Sequence, residues 1–115
     1  MLIVDDELGI CDFLRTFFSR RGYEVKTVCS GADALTVMPQ FQPQVVLLDI
    51  RMPGMSGLEV LEQLHPRYPA CKIFMVTALD DEYLIAQAEA LGAVSYITKP
   101  FHLSALERTV MEQLA

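Results

Sequence analysis

Val45-Val46-Leu47-Leu48-Asp49-Ile50-Arg51-Met52-Pro53-Gly54-Met55-Ser56-Gly57 opens with four apolar residues and then meets a carboxylate. Such a run has no polar face, so it reads as a strand covered on both sides, as in a parallel sheet between helices. Leu2 to Val4 and Ile73 to Val76 share this character, and each also ends on polar groups: Asp5-Asp6 after the first, Thr77 after the second. Val94 to Thr98 leads likewise to Lys99. In a parallel α/β sheet the carboxyl ends of the strands share one edge, where these side chains would converge.

Apolar character alternates between strand-like and helix-like periods five times along the chain, a (βα)5 pattern with no internal repeat. Glu24 to Val28 and Val94 to Thr98 mix polar and apolar positions, as edge strands do. With the three apolar strands in the centre, the expected architecture is α/β, three-layered and doubly wound, with sheet order 2-1-3-4-5. Helix signals fit: Ile10, Phe13, Leu14 and Phe17 make one stripe, with Gly22 as a stop. Ser30 with Asp33 and Ser56 with Glu59 have the spacing of N-terminal caps. Asp80 or Asp81 can cap a fourth helix that stops at Gly92, and Leu103, Leu106, Val110 and Leu114 line a fifth.

The 115 residues fit a single domain, 1–115, large enough to bury a core. Its strand 1 starts near Met1 and its last helix reaches Ala115, which suggests a domain excised from a longer protein, with a stand-alone protein as the alternative. Hydrophobic residues make up 52% of the sequence, but no run approaches the roughly 18 residues of a membrane span. A cytoplasmic protein with no membrane partner is expected. The net charge of −6 argues against direct nucleic-acid binding, which needs clustered Lys and Arg. Cys11, Cys29 and Cys71 are widely separated and read as small buried thiols. His65 and His102 read as surface residues, and Met38, Met52, Met55, Met75 and Met111 as core or loop packing.

Three crowded carboxylates raise one another's pKa unless a cation compensates. Asp5, Asp6 and Asp49 offer oxygen only, which favours a hard ion such as Mg²⁺ over zinc. Beside it, Asp49 can act as a nucleophile toward phosphorus, Lys99 can neutralise the incoming charge, and Thr77 can donate a hydroxyl. Ser56 and Gly57 lie in a turn where backbone amides can approach closely. Pro100 can hold Lys99 through a cis bond, although X-Pro bonds are usually trans. Taken singly, Asp5 and Asp6 fit solvated turn residues, and Tyr96 fits edge-strand packing.

As an ordered set, DDE at 5–7, LLDIRMPGMSG at 47–57, VTAL at 76–79 and YITKPF at 96–101 resemble the receiver domain of two-component response regulators, of the chemotaxis-regulator type. The resemblance covers essentially the whole chain and implies a flavodoxin-like fold. It also implies that Asp49 accepts a phosphoryl group from a histidine kinase or phosphotransfer protein, catalysing only its own phosphorylation and dephosphorylation. Asp6, Asp49 and the Arg51 backbone carbonyl would bind Mg²⁺, or Mn²⁺ in its place, and Asp5 would assist. Thr77 and Lys99 would read the phosphoryl group, and Tyr96 would move inward with Thr77. That movement would remodel the surface of helix 4, strand 5 and helix 5 for an output domain, an effector or a second copy.

The sequence departs from the family pattern at some positions. Arg51 and Leu79 occupy positions that influence hydrolysis in this family; Leu79 offers no group to orient water, so a long-lived acyl phosphate is expected. His102 replaces a common Asp cap. One rival function is a degenerate receiver serving as a constitutive interaction domain, which the intact acidic set disfavours. Another is an aspartyl-nucleophile phosphatase of the haloacid dehalogenase type, whose D-x-D signature Asp5-Asp6-Glu7 lacks. A dinucleotide-binding domain is disfavoured by the absence of GxGxxG after strand 1.

Overall fold

Burial is continuous along β1 (Leu2–Val4), β3 (Val45–Asp49) and all but the first residue of β4 (Lys72–Thr77), as expected for strands covered on both faces. β2 (Lys26–Val28) and β5 (Ser95–Thr98) are partly exposed, and the sheet order is β2-β1-β3-β4-β5, all parallel. The computed structural model describes residues 1–77, 82–100 and 102–114. Leu79 and the Asp80 or Asp81 cap lie outside the described residues. The helices are α1 (Leu8–Ser19), α2 (Gly31–Phe41), α3 (Gly57–Arg67), α4 (Glu82–Ala90) and α5 (Leu103–Leu114). This is the doubly wound, flavodoxin-like arrangement.

Alternate strand residues divide the interior into two layers, because successive side chains point to opposite faces. Leu2, Val4, Val46, Leu48, Ile73 and Met75 pack with Ala34, Met38, Leu61, Leu64 and Ala88 of α2, α3 and α4. Ile3, Val45, Leu47, Phe74 and Val76 pack with Leu14, Phe18, Leu106 and Val110 of α1 and α5.

The caps form as expected: Ser30 Oγ accepts from the Asp33 N–H at 3.1 Å, and Ser56 Oγ from the Glu59 N–H at 3.3 Å. Gly22 follows α1 with φ +89°, a conformation that suits glycine. The buried stripe of α1 is Cys11, Leu14 and Phe18, flanked by Ile10 and Phe17, while Phe13 is 58% exposed. A contiguous apolar cluster hid which of its members faces the sheet. Leu114 and Met111 are exposed near the end of α5, and Cys29 is exposed while the other two thiols are buried.

His65 is half-buried rather than fully exposed, and its buried Nδ1 has no hydrogen-bond partner among the described residues. Its ring lies against Gly92, where a Cβ would come within 2.4 Å of it. No described helix is long and apolar enough to cross a membrane.

Candidate functional site

The parallel register carries the polar residues to one edge. Val4 pairs with Leu48, Asp49 with Val76, and Thr77 with Thr98, so Asp5, Asp49, Thr77 and Lys99 stand at neighbouring strand ends. The backbone fixes them there. The Lys99 N–H donates to the Thr77 carbonyl at 2.7 Å, and the Ile50 N–H to the Val76 carbonyl at 3.0 Å. The Lys99–Pro100 bond is cis.

Each buried carboxylate divides its two oxygens between loop and lysine. Asp5 Oδ1 accepts from the Glu7 N–H at 2.9 Å and Asp49 Oδ1 from the Arg51 N–H at 3.2 Å. The second oxygens meet the Lys99 ammonium, Asp5 Oδ2 at 2.9 Å and Asp49 Oδ2 at 3.2 Å. Glu7 Oε1 approaches the same ammonium at 3.5 Å. Lys99 is thus the centre of a pocket floor in which its side chain is only 14% exposed.

Burial, and next the charge of Asp5, push the Asp49 carboxyl above its ordinary range against the pull of Lys99. Burial alone would lower Lys99, but the hydrogen bond it donates to Asp5 and the charges of both aspartates outweigh it, so its pKa is raised and it stays cationic. Ligand oxygens of Asp5, Asp6 and Asp49 lie within 4.8 Å of one another, with Asp6 exposed at the mouth. Acidic side chains outnumber the single ammonium. An oxygen-only donor set with surplus negative charge fits a hard divalent cation.

Thr77 is buried at the end of β4 and Tyr96 is 41% exposed on β5. Gly57 has a different role from the one expected: its N–H is spent on the Ile50 carbonyl at 2.8 Å. Its backbone lies so close to β3 that a Cβ would fall 2.1 Å from the Asp49 carbonyl oxygen. Glu7 is the site residue that sequence reasoning missed. Its contact with Lys99 spans 92 positions, and nothing local marks it.

The sequence profile of the response regulator receiver domain matches residues 1–111. The chain belongs to the response regulator receiver family. It is 32% identical over 114 residues to Sporulation initiation phosphotransferase F of Bacillus subtilis (strain 168), covering 99% of this chain and 92% of that protein. A CheY-like response regulator receiver domain protein from Methanospirillum hungatei JF-1 superposes with a TM-score of 0.95 at 32% identity, covering 98% of this chain and 90% of that one. The chain also matches NtrX from Brucella abortus with a TM-score of 0.90 at 28% identity, covering 96% of itself but 26% of that longer chain. Receiver domains are signalling modules of two-component systems that interact with histidine kinases or phosphotransfer proteins, and the acidic pocket of this receiver is compatible with Mg²⁺.

Proposed function

We propose that this receiver, residues 1–115, is switched by phosphorylation of Asp49. The observation that carries the reading is the Lys99 ammonium held between Asp5 and Asp49, 2.9 and 3.2 Å away, at the edge where the strand ends meet. Asp5, Asp6, Asp49 and the Arg51 backbone carbonyl would hold Mg²⁺, with Mn²⁺ as a substitute. When bound, the ion supplies positive charge against the phosphoryl oxygens.

In the transfer, a carboxylate oxygen of Asp49 forms the new P–O bond as the P–N bond to a donor histidine breaks. The electron pair stays on the imidazole nitrogen, which takes up a proton. Lys99 turns an N–H toward the phosphoryl group and balances its charge, while the Arg51 N–H keeps the other carboxylate oxygen oriented. Thr77 donates its hydroxyl to the transferred group, and Tyr96 follows it inward. The surface reshaped for a partner or a second copy is that of α4, β5 and α5, on which Tyr83 and Tyr96 are exposed before phosphorylation. The chain acts as a switch and not as a turnover enzyme, working in the cytoplasm.

Intact mass after incubation with acetyl phosphate tests the reading. One Mg²⁺-dependent phosphoryl adduct, absent in Asp49→Ala, is the expected result, and light scattering of the same samples reads out pairing. A folded wild-type protein that takes up no phosphoryl group would instead make it a constitutive interaction domain.

A further inference from the structure

Glu7 sits at the N-cap position of α1 with extended backbone (φ −88°, ψ 103°), yet its side chain makes no cap hydrogen bond. Its backbone is well anchored: the N–H donates to Asp5 Oδ1 at 2.9 Å, and the carbonyl accepts from the Ile10 and Cys11 N–H groups, each at 3.1 Å. The carboxylate turns away from the helix and reaches Lys99 at 3.5 Å. An ammonium has three N–H donors. In this structure all three face carboxylates, those of Asp5, Asp49 and Glu7.

A phosphoryl oxygen that takes an N–H from Lys99 must displace one of these partners. Asp5 and Asp49 are buried and closer, whereas the Glu7 side chain is 62% exposed and its contact is the longest. Water is ready to solvate Glu7 once it lets go, so Glu7 is the partner that yields. Until then it ties Lys99 down and adds negative charge at the pocket mouth, where an anionic donor must enter.

We propose that Glu7 is a positioning residue that restrains Lys99 in the resting state and slows phosphoryl capture by Asp49, most strongly from small, highly charged donors. This rests on Asp49 being the phosphoacceptor. With acetyl phosphate, an Asp49 oxygen forms the new P–O bond as the bond from phosphorus to the acetyl oxygen breaks, and acetate leaves with the electron pair.

The test compares rates of adduct formation in saturating Mg²⁺ for wild type, Glu7→Gln and Asp12→Asn. Asp12 lies on the exposed side of α1, paired with Arg15 at 2.8 Å, and controls for net charge alone. Glu7→Gln should react about threefold faster with acetyl phosphate at low ionic strength, the scale of an exposed ion pair. The gain should be smaller with phosphoramidate, which carries less negative charge, and should shrink in about 0.5 M salt. Asp12→Asn should match wild type.

A Glu7→Gln rate at or below wild type would overturn the proposal, as would an equal gain in Asp12→Asn. Weakened Mg²⁺ binding by calorimetry in Glu7→Gln would assign the carboxylate to the cation and also overturn it. If wild type forms no adduct, the reading of Asp49 fails and this one with it. If wild type reacts and Glu7→Gln only equals it, the role of Glu7 alone is lost.

Discussion

Lys99→Ala is expected to lose about 3 kcal/mol of stability in EDTA and to form no measurable phosphoryl adduct. The ammonium is the common partner of two buried carboxylates, Asp5 and Asp49, and removing one member of a buried pair leaves the other charges uncompensated. Mg²⁺ should restore much of the lost stability, because a cation bound to the folded state alone stabilises it by mass action. The thermal shift on adding Mg²⁺ should therefore be larger for the variant than for wild type.

The pH dependence follows from Asp49, whose carboxyl is already raised by burial and by Asp5. A carboxyl raised in the folded state destabilises it above the folded pKa, and the penalty fades as pH falls through that value toward 3.8. Without the pull of Lys99 the folded value climbs further, so relief should begin at a higher pH than in wild type. Denaturant midpoints across mildly acidic pH in EDTA read this directly. A variant as stable as wild type at neutral pH without Mg²⁺ would show that the ammonium does not hold the pocket together.

Gly57→Ala should be the most damaging single methyl group in the chain, costing about 3 kcal/mol and lowering Tm by about 10 °C. The added Cβ would stand 2.1 Å from the Asp49 carbonyl oxygen and 2.8 Å from both the Asp49 carbonyl carbon and Ile50 Cα. All three are backbone atoms, so no side chain can swing aside. The start of α3 would have to back away from β3, breaking the 2.8 Å bond from the Gly57 N–H to the Ile50 carbonyl. Gly54→Ala makes the comparison. Gly54 has φ +78° but open space around its missing Cβ, so only backbone strain of about 1 kcal/mol is expected. Calorimetry of the two variants separates crowding from strain, and equal Tm values would refute the close approach.

Much of the fold was legible because burial wrote itself into composition. Val45 to Leu48 and Ile73 to Val76 admit no polar residue, and the mixed strands around Lys26 and Tyr96 stand at the edges. The convergence of Asp5, Asp49, Thr77 and Lys99 followed from parallel strands alone. The exposure of Phe13 was hidden because α1 carries more apolar residues than its buried stripe needs. The half-burial of His65 depends on the space left by Gly92, a packing event between distant segments that periodicity does not record. The reach of Glu7 to Lys99 is of the same kind, since an acidic residue at a helix start looks like an ordinary cap until the opposite strand is in place.

The two apolar layers are made of side chains on the two faces of the sheet, whereas the pocket is built from residues at or just past the strand ends and from backbone bonds such as Lys99 to Thr77. Chemistry and scaffold are thus coded by separate sets of positions. Core residues are free to drift among shapes of similar volume, leaving the polar edge undisturbed, because volume-conserving swaps cost little. A chain of this design can diverge until two residues in three differ, as its 32% identity at a TM-score of 0.95 illustrates, with its backbone nearly superposable on that of a relative. Core packing and the chemistry of the polar edge can therefore evolve on largely separate schedules within one small domain.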